Sequence, residues 1–228
     1  MNRALLILLL FLQVGSSNVS LSQKYTPFTG MLEYKITIRD TSLRSVIEDN
    51  QMFLYTNDTI SRMENFTPQL GKQVVIRHMG LLKSYMLIDT DKGKFAIKVD
   101  ESDKDTVVTE SKYQFKKKCF KRKILGYKAK RLEVTHPAFD EPIEFLYLKN
   151  RSNKYLNNFE QSPGLLVKYS VVSVDGIYDY ELVKISEFAP NRDLFGIPSD
   201  YQKVTINEFM DYMTGVKQIP NSNPPEDN

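Results

Sequence analysis

The chain has 228 residues, 31 Lys and Arg against 28 Asp and Glu, and a formal net charge of +3. That balance argues against a nucleic-acid-binding protein, which concentrates positive charge, and a hydrophobic share of 41% with 13 Phe and 13 Tyr argues against disorder. Cys119 is the single cysteine, which excludes an intramolecular disulfide.

Residues 1–17 read as a secretory signal peptide. Asn2-Arg3 is followed by the apolar run from Ala4 to Leu12 and by the small residues Val14-Gly15-Ser16-Ser17. The apolar run is well short of the about 20 residues that cross a bilayer. Cleavage is expected near Ser16 to Asn18, with an uncleaved N-terminal anchor as the alternative. No Cys follows the run, so acylation of a new N-terminal Cys is closed. The expectation is a chain secreted across the inner membrane to the periplasm or outer cell envelope, with no transmembrane segment in its mature form. Without Arg3 the mature charge is near +2.

Beyond the leader, period-2 alternation dominates. Leu32, Tyr34, Ile36 and Ile38 alternate with Glu33, Lys35, Thr37 and Arg39 in a strand from Gly30, one face apolar and one wet. Strands are predicted at Gln51 to Tyr55, Thr59 to Glu64, Val74 to Met79 and Ser84 to Asp89. A hairpin turns at Asp91-Lys92-Gly93 into Phe95, Ile97 and Val99. Further strands are predicted at Thr106 to Thr109, Lys128 to Thr135, Ile143 to Leu148, Leu165 to Val174 and Tyr178 to Ser186. Asn150 to Glu160 has room for a turn or two of helix, and Thr205-Ile206-Asn207-Glu208 fits a capping box opening a short helix. The Pro-rich tail, residues 216–228, is expected to be disordered. Residues 18–215 thus read as one mainly β domain, a large antiparallel sheet either curved into a half-barrel or stacked as a sandwich, with one or two short helices.

Catalytic constellations are scarce. The two histidines, His78 and His136, fall in different segments, and there is no HExxH, CxxC, GxSxG or Gly-rich phosphate loop. His78 shares a parity with Val74 and Ile76, as a half-buried strand residue would, and His136 precedes Pro137 in a loop. Asp100-Glu101 and Asp140-Glu141 are carboxylate pairs by composition, but neighbours on a strand point to opposite faces and do not converge as acid and base. No catalytic residue, metal site or cofactor is expected. Four segments, at Asn18, Asn57, Asn65 and Asn150, match the N-glycosylation pattern, and Asp58-Thr59-Ile60 and Asp105-Thr106-Val107 match a short O-glycosylation motif.

The strongest charge feature is Lys116, Lys117, Lys118, Lys121, Arg122 and Lys123, six basic residues in eight. On a strand these place charge on both faces, which marks a sheet edge or rim. As a functional surface they are the candidate contact for anionic headgroups or an acidic partner; otherwise they blunt an edge against aggregation. Cys119 lies within the run.

Three segments carry a family resemblance. Ile124-Leu125-Gly126-Tyr127-Lys128-Ala129-Lys130-Arg131 resembles the ILGYKCKK strand entry of exported Bacteroidetes-type GLPGLI proteins, with Ala129 in place of the Cys. Ser162-Pro163-Gly164-Leu165-Leu166-Val167 resembles the second half of the GLPGLI signature, whose opening Gly-Leu is here Gln161-Ser162. Leu194-Phe195-Gly196-Ile197-Pro198-Ser199-Asp200-Tyr201 is similar to the closing segment of such proteins and of LolA-like lipoprotein carriers. The resemblance covers about Gly30 to Phe209. It implies a LolA-like curved antiparallel sheet with a short helical lid and an apolar concave face, and no particular activity.

Three functions follow as expectations. The first is binding of a lipid, a lipoprotein acyl chain or another apolar molecule in the sheet's concavity, at the inward parities Leu32, Tyr34, Ile36, Phe95, Ile97, Phe145, Tyr147, Val167 and Tyr169. The second is a non-enzymatic envelope interaction or structural module that docks a protein partner through the basic run or an exposed strand edge. A hydrolase is the third and least supported, since no nucleophile–base pair is visible. An apolar-lined, open pocket would favour the first, and an interior filled by side chains the second.

Overall fold

The computed structural model describes residues 25–39, 50–67, 71–99, 113–156, 159, 162–173 and 176–216. The leader at 1–17, Asn18, the Asp100-Glu101 pair, the strand expected at 106–109 and residues 217–228 of the tail lie outside the described residues. Twelve strands follow in order: β1 (Thr29–Ile38), β2 (Gln51–Asn57), β3 (Ile60–Thr67), β4 (Gly71–His78), β5 (Lys83–Thr90), β6 (Gly93–Val99), β7 (Gln114–Ile124), β8 (Tyr127–Thr135), β9 (Ile143–Leu148), β10 (Leu165–Ser173), β11 (Gly176–Glu187) and β12 (Gln202–Val204). They form one open sheet in the order β12-β6-β5-β4-β3-β2-β1-β11-β10-β9-β8-β7. The first and last strands of that order do not pair, so the sheet curves without closing into a barrel.

The alternation read in the sequence is the alternation of burial. In β1, Leu32, Tyr34, Ile36 and Ile38 are buried and their neighbours are not, because successive side chains on a strand leave opposite faces. The inner face continues through Met52 and Leu54 of β2, Met63 of β3, Val75 of β4, Met86 and Ile88 of β5 and Phe95 and Ile97 of β6. On the other arm it carries Leu132, Val134, Phe145, Tyr169, Tyr180 and Leu182. Rings dominate there: Tyr169 stacks on Tyr180 at 4.8 Å between centroids and meets Tyr34 edge-on at 5.9 Å.

A second layer lies on the opposite face of β4 to β6. Val74, Ile76, Leu87 and Ala96 form a separate cluster, covered by Ile60, Ile197 and Tyr201. The chain leaves β11, crosses this outer face, where Arg62 Nη1 donates to the Leu194 carbonyl at 3.0 Å, and then lays β12 beside β6. That pairing is parallel, Gln202 opposite Phe95, in a sheet whose other pairs are antiparallel. No sequence pattern announced it, since three residues carry no measurable period. Helix α1 (Ile206–Thr214) then turns back over the inner face, with Phe209 and Tyr212 at 5.4 and 5.7 Å from Phe95. The capping box expected at its start is present: Thr205 Oγ1 accepts the Glu208 N–H, and the Glu208 carboxylate accepts the Thr205 N–H at 2.8 Å. Lys92 Nζ donates to the Met213 carbonyl at 2.8 Å, a cation at the negative end of the helix.

Strand direction alternates along the sheet, and this sorts the turns onto two rims. One rim holds the start of β1, the β2–β3, β4–β5 and β7–β8 turns, the connection between β9 and β10 and the end of β11. Hydrogen bonds tie it together. Met79 N–H donates to Thr59 O at 3.0 Å, Thr26 N–H to Asn150 O at 2.9 Å, and Arg151 Nη2 to Glu187 at 2.5 Å.

The 3₁₀ turn Asn153–Tyr155 sits between the arms of the sheet. Asn153 Oδ1 accepts the Leu166 N–H of β10 at 3.1 Å, while Arg77 of β4 donates to the Lys154 and Leu156 carbonyls. Along the sheet β4 and β10 are five strand spacings apart, an arc of about 24 Å. A single arginine and its neighbouring turn span the chord, so the sheet must bend around this segment. Tyr155 anchors it, because its hydroxyl accepts the Phe28 N–H at 3.0 Å and donates to the Asp58 carboxylate. Lys154 Nζ pairs with the same carboxylate at 2.9 Å. Burial opposes ionisation of Asp58, but the hydrogen bonds from Tyr155 and Lys154 outweigh it and hold this carboxyl below its usual range.

Two outcomes test this frame. A Cβ at Gly30, where φ is +145°, would meet Ser186 O at 2.0 Å across the β1–β11 pair. Gly30→Ala should therefore cost about 2–4 kcal/mol in urea unfolding, whereas Gly126→Ala, with nothing within 4 Å, should cost only the roughly 1 kcal/mol of its left-handed backbone. Asp58→Asn should lose about 1–2 kcal/mol at neutral pH. Because the native carboxyl is depressed, its contribution is complete above the unfolded value near pH 4 and is lost as pH falls through the native value. The gap between wild type and variant should therefore close in acid, and a gap independent of pH would refute the assignment.

Candidate docking surface

The nine inward apolar positions expected to meet a ligand do come together, all in the main core cluster. Each is buried: Tyr34, Phe95, Phe145 and Val167 at 0%, and the most exposed, Tyr147, at 4%. Neighbouring side chains cover them. Helix α1 caps Phe95, and Phe159, at 5.4 and 5.9 Å from Phe145 and Tyr169, fills the space over β9 and β10. Tyr34 donates its hydroxyl to Leu166 O at 2.8 Å, and burial pushes the phenols of Tyr34 and Tyr169 far above the usual tyrosine range. The inner face, at these positions, is a filled core.

The basic run lies on β7, the terminal strand of the sheet, which pairs with β8 alone. Lysine on an edge strand resists pairing with a second chain. The register shifts between Lys118 and Lys121, so Cys119 and Phe120 have no partner opposite; Cys119 is exposed. β7 and β8 together carry nine basic residues and one acidic, a net of +8 in a chain whose total is +3, so the rest is acidic by five. Three of the nine are paired. Lys118 meets Glu133 at 2.7 Å and holds that carboxyl below its usual range. Arg131 and Arg122 share Glu144 at 2.7 and 3.3 Å. Lys116 stands opposite Glu133 and adds to the lowering of that carboxyl, while Lys117, Lys121, Lys123, Lys128 and Lys130 make no salt bridge to a described carboxylate. Close like charges repel, and an approaching anion relieves that repulsion.

The turn joining these strands is Leu125-Gly126, with φ of 49° and 82°. Positive φ at both central residues is the two-residue hairpin geometry that matches strand twist, and it favours Asn-Gly. Here the first position is leucine, at about 1–2 kcal/mol of backbone strain, with its side chain 47% exposed. In the sequence Ile124 to Arg131 reads as a strand entry and the exposed leucine is hidden, because a strand entry and a turn position look alike in an apolar run.

Other residues singled out by sequence have structural partners. His78 is half-buried at the end of β4, opposite Ile60, and the Ala138 N–H donates to His136 Nδ1 at 3.0 Å within a loop. Asp140 and Glu141 are exposed in that loop. Among the described residues no three His, Cys, Asp or Glu side chains gather as metal ligands, and no helix is long and apolar enough to cross a membrane.

Fold and surface together describe an open, mainly antiparallel sheet with a buried apolar inner face at the nine positions above and a cationic edge hairpin. No family model and no curated protein matches the chain. Among solved structures it is similar to PNGF-II, in crystals of space groups C2 and P21. The TM-scores are 0.47 and 0.46 and the identities 16% and 14%, covering 79% of this chain and 32% of that one. The chain thus spans about a third of the length of that protein.

Leu125→Asn should relieve the turn and raise unfolding free energy by about 0.5–1 kcal/mol; a destabilised variant would show that Leu125 makes contacts that its exposure conceals.

Proposed function

We propose that this chain is an exported, non-catalytic binding module that docks an anionic partner on the β7–β8 hairpin. The observation that carries the reading is the set of five lysines, Lys117, Lys121, Lys123, Lys128 and Lys130, that make no salt bridge to a described carboxylate on an edge hairpin, in a molecule that is elsewhere net acidic. Charge of one sign concentrated on one hairpin steers an oppositely charged partner and raises its rate of encounter. The basic start and apolar run of residues 2–12 support export. An apolar ligand on the inner face is the weaker reading, because its nine expected positions are at most 4% exposed and a guest would have to displace α1 or the Phe159 ring.

The test is retention on immobilised polyglutamate. Lys117→Glu, Lys121→Glu and Lys123→Glu combined should weaken retention by more than about tenfold, and wild-type retention should fall steeply with salt. These side chains are exposed, so circular dichroism and the unfolding midpoint should stay unchanged. Equal retention of wild type and the triple variant would sink the proposal.

A further inference from the structure

Scattered exposed apolar residues are ordinary on any protein surface. Their distribution here is not scattered. Among the described residues seven large hydrophobics are exposed, and five of them, Leu81 and Leu82 at 65% and 66%, Leu125 at 47%, Tyr127 at 39% and Phe188 at 46%, lie on one rim of the sheet. The alternating strand directions put them there: Leu81 and Leu82 in the β4–β5 turn, Leu125 and Tyr127 at the β7–β8 turn, Phe188 just past β11. The described turns of the opposite rim carry Asp91, Asp140 and Glu141 instead.

Two of the five share a further property. Leu82 and Leu125 both have left-handed backbone, with φ of 51° and 49°. Glycine or asparagine would sit there without strain, so each tip keeps an apolar side chain in water at a position that disfavours it. The tips are flanked by exposed Lys83, Lys123 and Lys128, while the rim's carboxylates Asp58 and Glu187 are already engaged by Lys154 and Arg151. Apolar tips on a cationic rim match one kind of surface, an anionic bilayer. Its headgroups take the lysines, its outer acyl layer takes leucine and phenylalanine, and the interface between them suits tyrosine. A folded protein surface would need a groove shaped to several separate tips, whereas a bilayer yields to each.

We infer that the rim bearing Leu81, Leu82, Leu125, Tyr127 and Phe188 is a membrane-docking edge, and that the anionic partner of the hairpin is a lipid surface. This rests on the hairpin being the docking surface. The probe is co-sedimentation of the full chain with phosphatidylcholine vesicles, with and without phosphatidylglycerol. Wild type should bind only the anionic vesicles. Leu82→Asn, Leu125→Asn and Phe188→Ser combined should lower the partition coefficient by about tenfold or more without loss of stability, since two of the three changes relieve strained turns. Unchanged binding by this variant, with binding abolished by Lys121→Glu and Lys123→Glu, would overturn the bilayer inference and leave the electrostatic reading standing. Wild type that binds polyglutamate but not anionic vesicles would do the same and turn the search to an acidic protein. Indifference of both probes to the lysine variant would overturn both.

Discussion

The Tyr155 hydroxyl is the small contact on which the shape of this large sheet depends. It accepts a hydrogen bond from the first residue before β1 and gives one to the carboxylate in the β2–β3 turn, while its neighbours Asn153 and Lys154 hold β10 and β4. A twelve-stranded sheet has no intrinsic reason to curve by a particular amount; twist alone permits a range. A short segment bonded to both arms selects one curvature. It also places polar backbone in the interior, where each group must find a partner, and those partners are the bonds that tie the segment in.

That segment and α1 determine what the inner face can do. Curved antiparallel sheets enclose ligands when their concave side chains leave a gap. Here Phe159, Phe209 and Tyr212 occupy the space over Phe145, Tyr169 and Phe95. The aromatic residues that would make an apolar site attractive serve instead to stack on one another, edge to face, over most of one arm. Polar character is displaced outward, and the basic hairpin at the end of the sheet is its densest concentration.

The outer layer is the counterpart of this arrangement. β4, β5 and β6 are apolar on both faces, with Val74, Ile76, Leu87 and Ala96 turned away from the main core. Such strands would expose a broad apolar surface unless covered. The connection from Ile197 to Tyr201 covers it and, in crossing, delivers the chain to the free edge of β6, where β12 closes one side of the sheet. β7 closes the other side with charge instead of a neighbour.

Much of this was legible in the residues. Alternation gave the positions of β1 to β6 and β8 to β11 to within a few residues, because the period of two is a local property of extended backbone. The basic run between Lys116 and Lys123 marked an edge, and Thr205 with Glu208 marked the start of α1, since both rest on side chains a few positions apart. The continuous apolar runs of β4 and β5 hid which side chains faced which layer, and β12 was too short to show any period. The residues alone therefore set most of the strands, the wet and dry faces of those that alternate, and the place where charge accumulates. It takes the folded chain to fix that the sheet stays open, that its nine inward apolar positions are covered, and that five exposed apolar side chains from three distant segments share one rim. Those outcomes depend on contacts between residues as far apart as Asp58 and Tyr155, whose meeting is set by the direction and order of strands and by no local pattern.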